Sequence, residues 1–214
     1  MMAVARMLFE NDRVLVADLR LRPGEEATIE HQWPTVRWQV DPGRHRLNGG
    51  ASCEVKDKEV FFVEAGDSWH VVNDDQHSEY RQVTFALKQP PRRTEEQTRE
   101  ILTNALYSTD VGTELLFENR YCRVWDFALA PGEGDPPGNT HHHVLDYVFV
   151  YVAPGRLLGY YPDGRPGLFD SINEDGDVTW FDLPDGAGQD AQFAHGGKNG
   201  YNDRPMREYL VELK

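Results

Sequence analysis

The chain has 214 residues, with 22 basic against 36 acidic side chains and a formal net charge of −14. A field of that sign repels nucleic-acid phosphates and anionic lipid, which argues against both as partners. Hydrophobic residues make up 39%. No apolar run approaches the roughly 18 residues of a membrane-spanning helix, so the composition is that of a globular protein able to fold without disulfides or a structural metal.

The opening MMAVARMLFEN is too short for a signal peptide and leads straight into a strand-like segment. With Cys53 and Cys122 as its only cysteines, the chain is expected in the reducing cytoplasm. RVLVADLRL (13–21) alternates apolar and polar residues and stops at Pro-Gly, the pattern of a half-buried strand ended by a turn. Pro-Gly, Asn-Gly-Gly and Asp-Gly pairs punctuate the short β-rich runs that follow, as in a sandwich or barrel.

The same unit then recurs. MLFENDRVLVADLRLRPGE (7–25) aligns without a gap on LLFENRYCRVWDFALAPGE (115–133), matching Phe9/Phe117, Glu10/Glu118, Asn11/Asn119, Asp18/Asp126 and the two Pro-Gly-Glu triplets. After a short insertion in the second copy, VDPG (40–43) faces VAPG (152–155), Asn73 faces Asn199, and QVTFAL (82–87) faces EYLVEL (208–213). A duplication of this extent sets the architecture. The expected organisation is an N-terminal domain over 1–90, a linker over 91–110 and a C-terminal domain over 111–214. Pro90 and Pro91 end the first copy, and Thr94 with two following glutamates predicts a connecting helix over 94–107 with an Ile101, Leu102, Ala105 stripe. The Gly-, Pro- and Asp-rich stretch 162–177 reads as a surface loop. Glu25 and Glu133, at equal positions, suggest a shared turn role rather than catalysis.

Chemistry concentrates in the second copy, in THHHVLDYVFVYVAPG (140–155). Strand alternation puts His141 and His143 on one face and His142 on the other, pointing outward. Two imidazoles so spaced can grip one metal ion, and His195 in AHGGKN is the best third ligand. A surface HHH run would bind metal only adventitiously, but this one enters an apolar strand. The opposite face, Val144 to Val152, is apolar too, so both faces should be buried, against the other domain or against a second subunit in a homodimer. Trp125, Phe127 and Trp180 belong to that layer or to the core. Neither cysteine has a histidine near it, and no phosphate loop or nucleophile elbow is present. Cys122 reads as core.

These residues resemble the cupin superfamily, and the chain as a whole resembles a bicupin. The resemblance implies an all-β fold of two tandem cupin (jelly-roll) barrels joined by a short helix. It places His141 and His143 in the first cupin motif with Gly155 as its closing glycine, Pro184 and Gly186 in the Pro-x-Gly of the second, and His195 with Asn199 at its end. Where the family has a glutamate, this sequence has Tyr147 or Val148, and Asp146 comes one residue early. A three-histidine site is therefore expected, with Asp146 joining only through a bulge. Tyr147 shares the histidines' face and is expected either to serve as acid, hydrogen-bond donor or distant metal ligand, or to line the barrel with its hydroxyl on backbone. Phe149, Tyr151 and Asn199 are the expected substrate contacts.

The first copy has lost this constellation. His31 faces His143, and His70 sits one residue off the His195 register; the pair could bind a metal weakly, but a degenerate, structural barrel is the preferred reading. Arg37 could hold a carboxylate in a second pocket, although pairing with an acid or at the domain interface is preferred.

The implied function is a metal-dependent enzyme acting on a small polar organic molecule. One divalent ion per chain is expected: Fe(II) first, supporting dioxygenation, and Zn, Mn or Ni for isomerase, epimerase or lyase chemistry. A non-catalytic binding barrel is the remaining alternative.

Overall fold

The computed structural model describes residues 3–134 and 140–214. The chain divides into two compact units, Met1–Pro90 and Pro91–Lys214. The first contains nine strands: β1 (Arg6–Glu10), β2 (Val14–Leu21), β3 (Glu26–Glu30), β4 (Thr35–Gln39), β5 (Gly43–Leu47), β6 (Ser52–Val55), β7 (Val60–Val63), β8 (Ser68–Asn73) and β9 (Tyr80–Leu87). The second opens with helix α1 (Glu95–Thr103) and continues as β10 (Glu114–Glu118), β11 (Cys122–Leu129), β12 (His141–His142), β13 (Asp146–Tyr151), β14 (Gly155–Tyr160), β15 (Pro166–Asn173), β16 (Val178–Phe181), β17 (Ala194–Asn199) and β18 (Met206–Leu213).

The sheets repeat strand for strand. Unit one has a five-stranded sheet β1-β2-β9-β4-β7 and a four-stranded sheet β3-β8-β5-β6, and unit two has β10-β11-β18-β13-β16 and β12-β17-β14-β15. Even the irregularities recur: the pairing of β1 with β2 slips between Met7 and Phe9, and that of β10 with β11 slips between Leu115 and Phe117. Sequence-identical positions serve the same local ends. Pro23-Gly24 and Pro131-Gly132 make matched turns, with glycine φ of +77° and +68° and backbone bonds Glu25 N–H to Arg22 and Glu133 N–H to Ala130. A residue with φ that positive and proline before it is the type II pattern, in which glycine is the cheap choice. Glu25 and Glu133 then accept the Arg22 and Ala130 N–H on their own carboxylates at 2.8 and 2.7 Å, the turn role expected of them.

The core follows from alternation. In unit one, Leu19, Leu21 and Tyr80 of the five-stranded sheet meet Ala27, Val55, Trp69 and Val71 of the four-stranded sheet, each large side chain contributing about 1.5–3 kcal/mol. Asp18 with Arg81, and Asp126 with Arg207, form the same ion pair in both units. Cys122 is fully buried, and burial pushes its thiol up to about 12.

Two expectations change. The helix ends at Thr103 rather than 107, and it starts through a capping box between Thr94 and Gln97; Thr98 is its one buried residue among those described, while Ile101 and Leu102 are half-buried. The stretch 162–177 is not one loop but holds a strand, β15, which pairs with β14. Its turn-forming residues belong to the tight turns at either end, where Gly164 and Gly176 have φ of +82° and +91°. Leu168 and Phe169 between them line a cavity. Among the described residues, no helix is long and apolar enough to cross a membrane.

Candidate metal centre in the second barrel

The five-stranded sheet of unit two presents its inner face in rows. Phe127, Glu208 and Tyr151 lie side by side across β11, β18 and β13, followed by Trp125, Leu210, Phe149, and then Arg123, Glu212, Tyr147, Phe181. Opposite them, β12 and β17 pair with His141 directly across from His195. The space between the sheets is a cavity of about 530 Å³ lined by both.

His141, His143 and His195 converge at one wall of this cavity. One ring nitrogen from each lies within 4.8 Å of the other two, and the ring centroids are 4.6–5.0 Å apart. The chain leaves the four-stranded sheet after His142 and joins the other at Asp146, so the two histidines and Tyr147 are not on one continuous strand. They share a face because the crossing segment 143–145 turns inward, with His143 N–H bonded to the Phe193 carbonyl. Tyr147 then lies flat on the His143 ring at 4.1 Å and 16°, with Phe181 stacked behind it at 4.8 Å.

Burial decides the protonation of the cluster. Loss of water, reinforced by the neighbouring imidazoles, holds His141 and His143 well below the ordinary imidazole range, and His195 is brought down to about 4. All three are therefore neutral at pH 7 and offer lone pairs, the state a metal ligand needs. The Nδ1 of His143 is buried with no hydrogen-bond partner among the described residues, a cost that a bound ion would remove. The donor set fits a divalent ion of the imidazole-binding kind, such as Fe, Zn, Ni or Co.

His142 points away from the cluster, as its parity requires, but it does not face solvent. It is fully buried, donates from Nε2 to the Asp190 carbonyl at 3.0 Å and packs edge-on to Tyr107. Its backbone N–H bonds Ser108, so the segment after α1 braces the metal-site strand. Two 3-10 turns, Ala187–Gln189 and Ala191–Phe193, account for the long spacing between Gly186 and His195; Pro184 and Gly186 begin the first of them.

Three sequence expectations are corrected. Asp146 cannot join the site: it faces the other way, bound to Arg92 at 2.8 Å and to the Leu183 N–H at 2.9 Å. Asn199 is no substrate contact: its amide donates to the Leu129, Ala130 and Arg204 carbonyls and accepts from the Tyr201 N–H. It locks a loop, and Asn73 does the same in unit one with Leu21, Ser78 and Asp75. Replacing Asn199 by alanine is expected to cost about 2 kcal/mol in chemical denaturation through orphaned buried carbonyls, with metal content unchanged. Tyr151 is fully buried and packs with Leu129 and Met206, behind the cavity wall, whereas Phe149 does line the cavity. Trp125 and Phe127 lie on the inner face, while Trp180 pairs with Val148 on the other.

Two cavity features escaped sequence reading. Phe169 stands edge-on to His195 at 5.3 Å. It fits only because residue 159 is glycine, since a Cβ there would sit 2.5 Å from its ring. Glu208 is 3% exposed and lines the cavity; burial pushes its carboxyl up to about 7. The signal was a pair of acids, Glu208 and Glu212, on the inward phase of β18. In the unfolded chain this carboxyl titrates near 4.5, so native stability falls as pH rises from 4.5 through 7, and the difference corresponds to roughly 3 kcal/mol. Glu208→Gln is therefore expected to be more stable than wild type at pH 8 and equal to it at pH 4.5, read from urea midpoints.

Unit one keeps the frame without the ligands. Ile29 pairs with Trp69 as His141 does with His195, so Ile29, His31 and Trp69 occupy the three positions. His70 lies on the opposite strand face, bound to Glu26 at 3.2 Å, and does not meet His31. Arg37 pairs with no acid among the described residues, so the acid partner expected for it is not found. Its Nε donates to Gln82 at 3.0 Å, its guanidinium lies 3.3 Å from the Trp69 ring centre, and Phe61 and Tyr80 are further neighbours.

Neither protein-family models nor curated proteins give a sequence match. Solved structures do match across the whole chain. AerE from Microcystis aeruginosa aligns with a TM-score of 0.57 at 10% identity, covering 99% of this chain and 97% of its own. Bacillus subtilis oxalate decarboxylase, a protein with Mn(II) centres, aligns at 0.53 and 13%, covering 94% and 69%. Salicylate 1,2-dioxygenase from Pseudaminobacter salicylatoxidans aligns at 0.51 and 12%, covering 97% and 75%. The chain has the cupin fold, as two tandem all-β barrels. The histidine triad of its second barrel can bind a divalent metal.

Proposed function

We propose that the second barrel is the active site of a metal-dependent enzyme acting on a small organic molecule, with Fe(II)-dependent dioxygenation as the leading reaction. One observation carries this reading: three neutral, buried imidazoles converge at the wall of a cavity large enough for a substrate. His141, His143 and His195 would hold the ion. When bound, the ion supplies Lewis acidity toward a substrate oxygen or, as iron, electrons for reaction with oxygen.

The protein groups have their own tasks. Phe149, Phe169 and Phe181 exclude water and flank the substrate. Tyr147, whose phenol burial keeps protonated, holds a proton beside His143 as a hydrogen-bond donor. Glu208 gives a second reading its support, because a cavity carboxyl titrating at about 7 is suited to moving a proton in isomerase or lyase chemistry.

The test is oxygen consumption by the Fe(II)-loaded protein over a panel of small aromatic and enolisable compounds, beside His141→Ala. Compound-dependent uptake absent from the variant is expected for the dioxygenase. Deuterium incorporation from D2O into a compound without oxygen uptake assigns the second reading, and neither signal contradicts both.

A further inference from the structure

The part of the cavity around Glu208 carries polar groups that the dioxygenase reading leaves unused. Glu208 and Asn173 line the cavity, and the fully buried Tyr151 hydroxyl behind the wall sits against both. They come from three strands, β18, β13 and β15, and they are neighbours: Glu208, Asn173 and Ser171 all lie beside the Tyr151 hydroxyl. Glu208 is 3% exposed and lines the cavity, and a buried carboxylate without a counter-charge favours a cationic occupant.

The surroundings define what that occupant is. Among the described residues lining the cavity there is no lysine or arginine, while Asp182 and Glu208 are both acids. Phe127, Phe149, Phe169 and Phe181 supply ring faces in the same cavity. Carboxylate and aromatic faces without a competing cation recognise an ammonium group. Half a turn of the Asn173 amide offers Oδ1 in place of Nδ2 as a further acceptor. Phe127 and Tyr151 flank Glu208 in register, so the carboxylate is fixed between them on the sheet rather than free to swing toward solvent.

We infer that Glu208, with Asn173 beside it and Tyr151 holding both from behind the wall, forms a subsite for a protonated amine, so that the molecule this barrel takes is an amine-bearing compound. The inference rests on the cavity being the substrate site. It names the substrate's charge at the Glu208 end and assigns Glu208 to binding by direct contact. An ordered water is the competing occupant of the same atoms and would confer no preference for an amine.

Calorimetric binding of 2-phenylethylamine and of its neutral counterpart 2-phenylethanol tests it, using metal-free and zinc-loaded full-length protein at pH 7.5. Wild type is expected to prefer the amine by about tenfold or more, the size of one hydrogen bond between charged groups. In Glu208→Gln, a nearly isosteric change, the preference is expected to drop to about twofold or less while zinc content stays that of wild type. Asn173→Leu is a second variant on an independent strand and is expected to weaken amine binding with its fold intact by circular dichroism. Equal affinity for amine and alcohol in wild type, binding of neither, or an undiminished preference in Glu208→Gln overturns the inference. Failure of the metal reading looks different: wild type then takes up no zinc, whatever its preference between the two probes.

Discussion

His141→Ala and His143→Ala each lower metal affinity by roughly two orders of magnitude, because one of three neutral ligands is removed from a preformed site. The effect should also appear as stability. An ion at about 100 times its dissociation constant raises wild-type stability by about 2.7 kcal/mol, and neither variant gains this. His142→Ala separates ligation from scaffolding. Its ring reaches Asp190 and Tyr107 rather than the cluster, so it should lose stability while keeping the metal. His31→Ala should change metal content not at all, since Ile29 and Trp69 stand where its two partners would need to be. Elemental analysis of the four variants, prepared without a His tag, checks the metal content, and urea denaturation with and without metal checks the stability.

Arg123→Leu should destabilise the second unit by about 3–5 kcal/mol at pH 8. Arg123 and Glu212 form a buried ion pair at 3.0 Å, with exposures of 7% and 0%, and the same carboxylate accepts from Trp125 Nε1 at 2.8 Å. Removing the guanidinium leaves a buried negative charge. Burial already pushes Glu212 up to about 7, and Arg123 is what opposes that rise; without it the carboxyl goes higher still and is neutral at pH 5. The loss should therefore be much smaller at pH 5 than at pH 8 in urea denaturation of the metal-free protein. A loss equal at both pH values contradicts this account. The double variant Arg123→Leu/Glu212→Leu should recover most of the stability, because well-packed apolar pairs replace buried ion pairs at little cost. The protein already contains that solution: Leu15 faces Ala86 in the corresponding row of unit one.

The duplication made the frame legible before any coordinate. Identical turns and strand ends fixed the order of the sheets, and the matched type II turns at Pro23 and Pro131 show that the repeated residues do the same physical work. The histidine cluster was legible for a weaker reason. Parity grouped His141, His143 and Tyr147 correctly although the chain changes sheets between them, and the grouping held because both segments face the same interior. Composition misled at 162–177, where turn residues at the two ends of β15 hid Leu168 and Phe169. The resemblance misled at Asn199, whose four hydrogen bonds hold a loop; the same residue at Asn73, in a copy without the histidine cluster, was the available warning. Glu208 was missed because strand alternation marks where a side chain points, and not whether a partner awaits it there.

The most direct test of the central claim is X-ray absorption spectroscopy of the zinc-loaded protein. The account predicts about three imidazole nitrogens at roughly 2.0–2.1 Å with the remaining coordination from solvent, at one ion per chain. A spectrum showing two or fewer imidazoles, or sulfur or several carboxylate ligands, would contradict it.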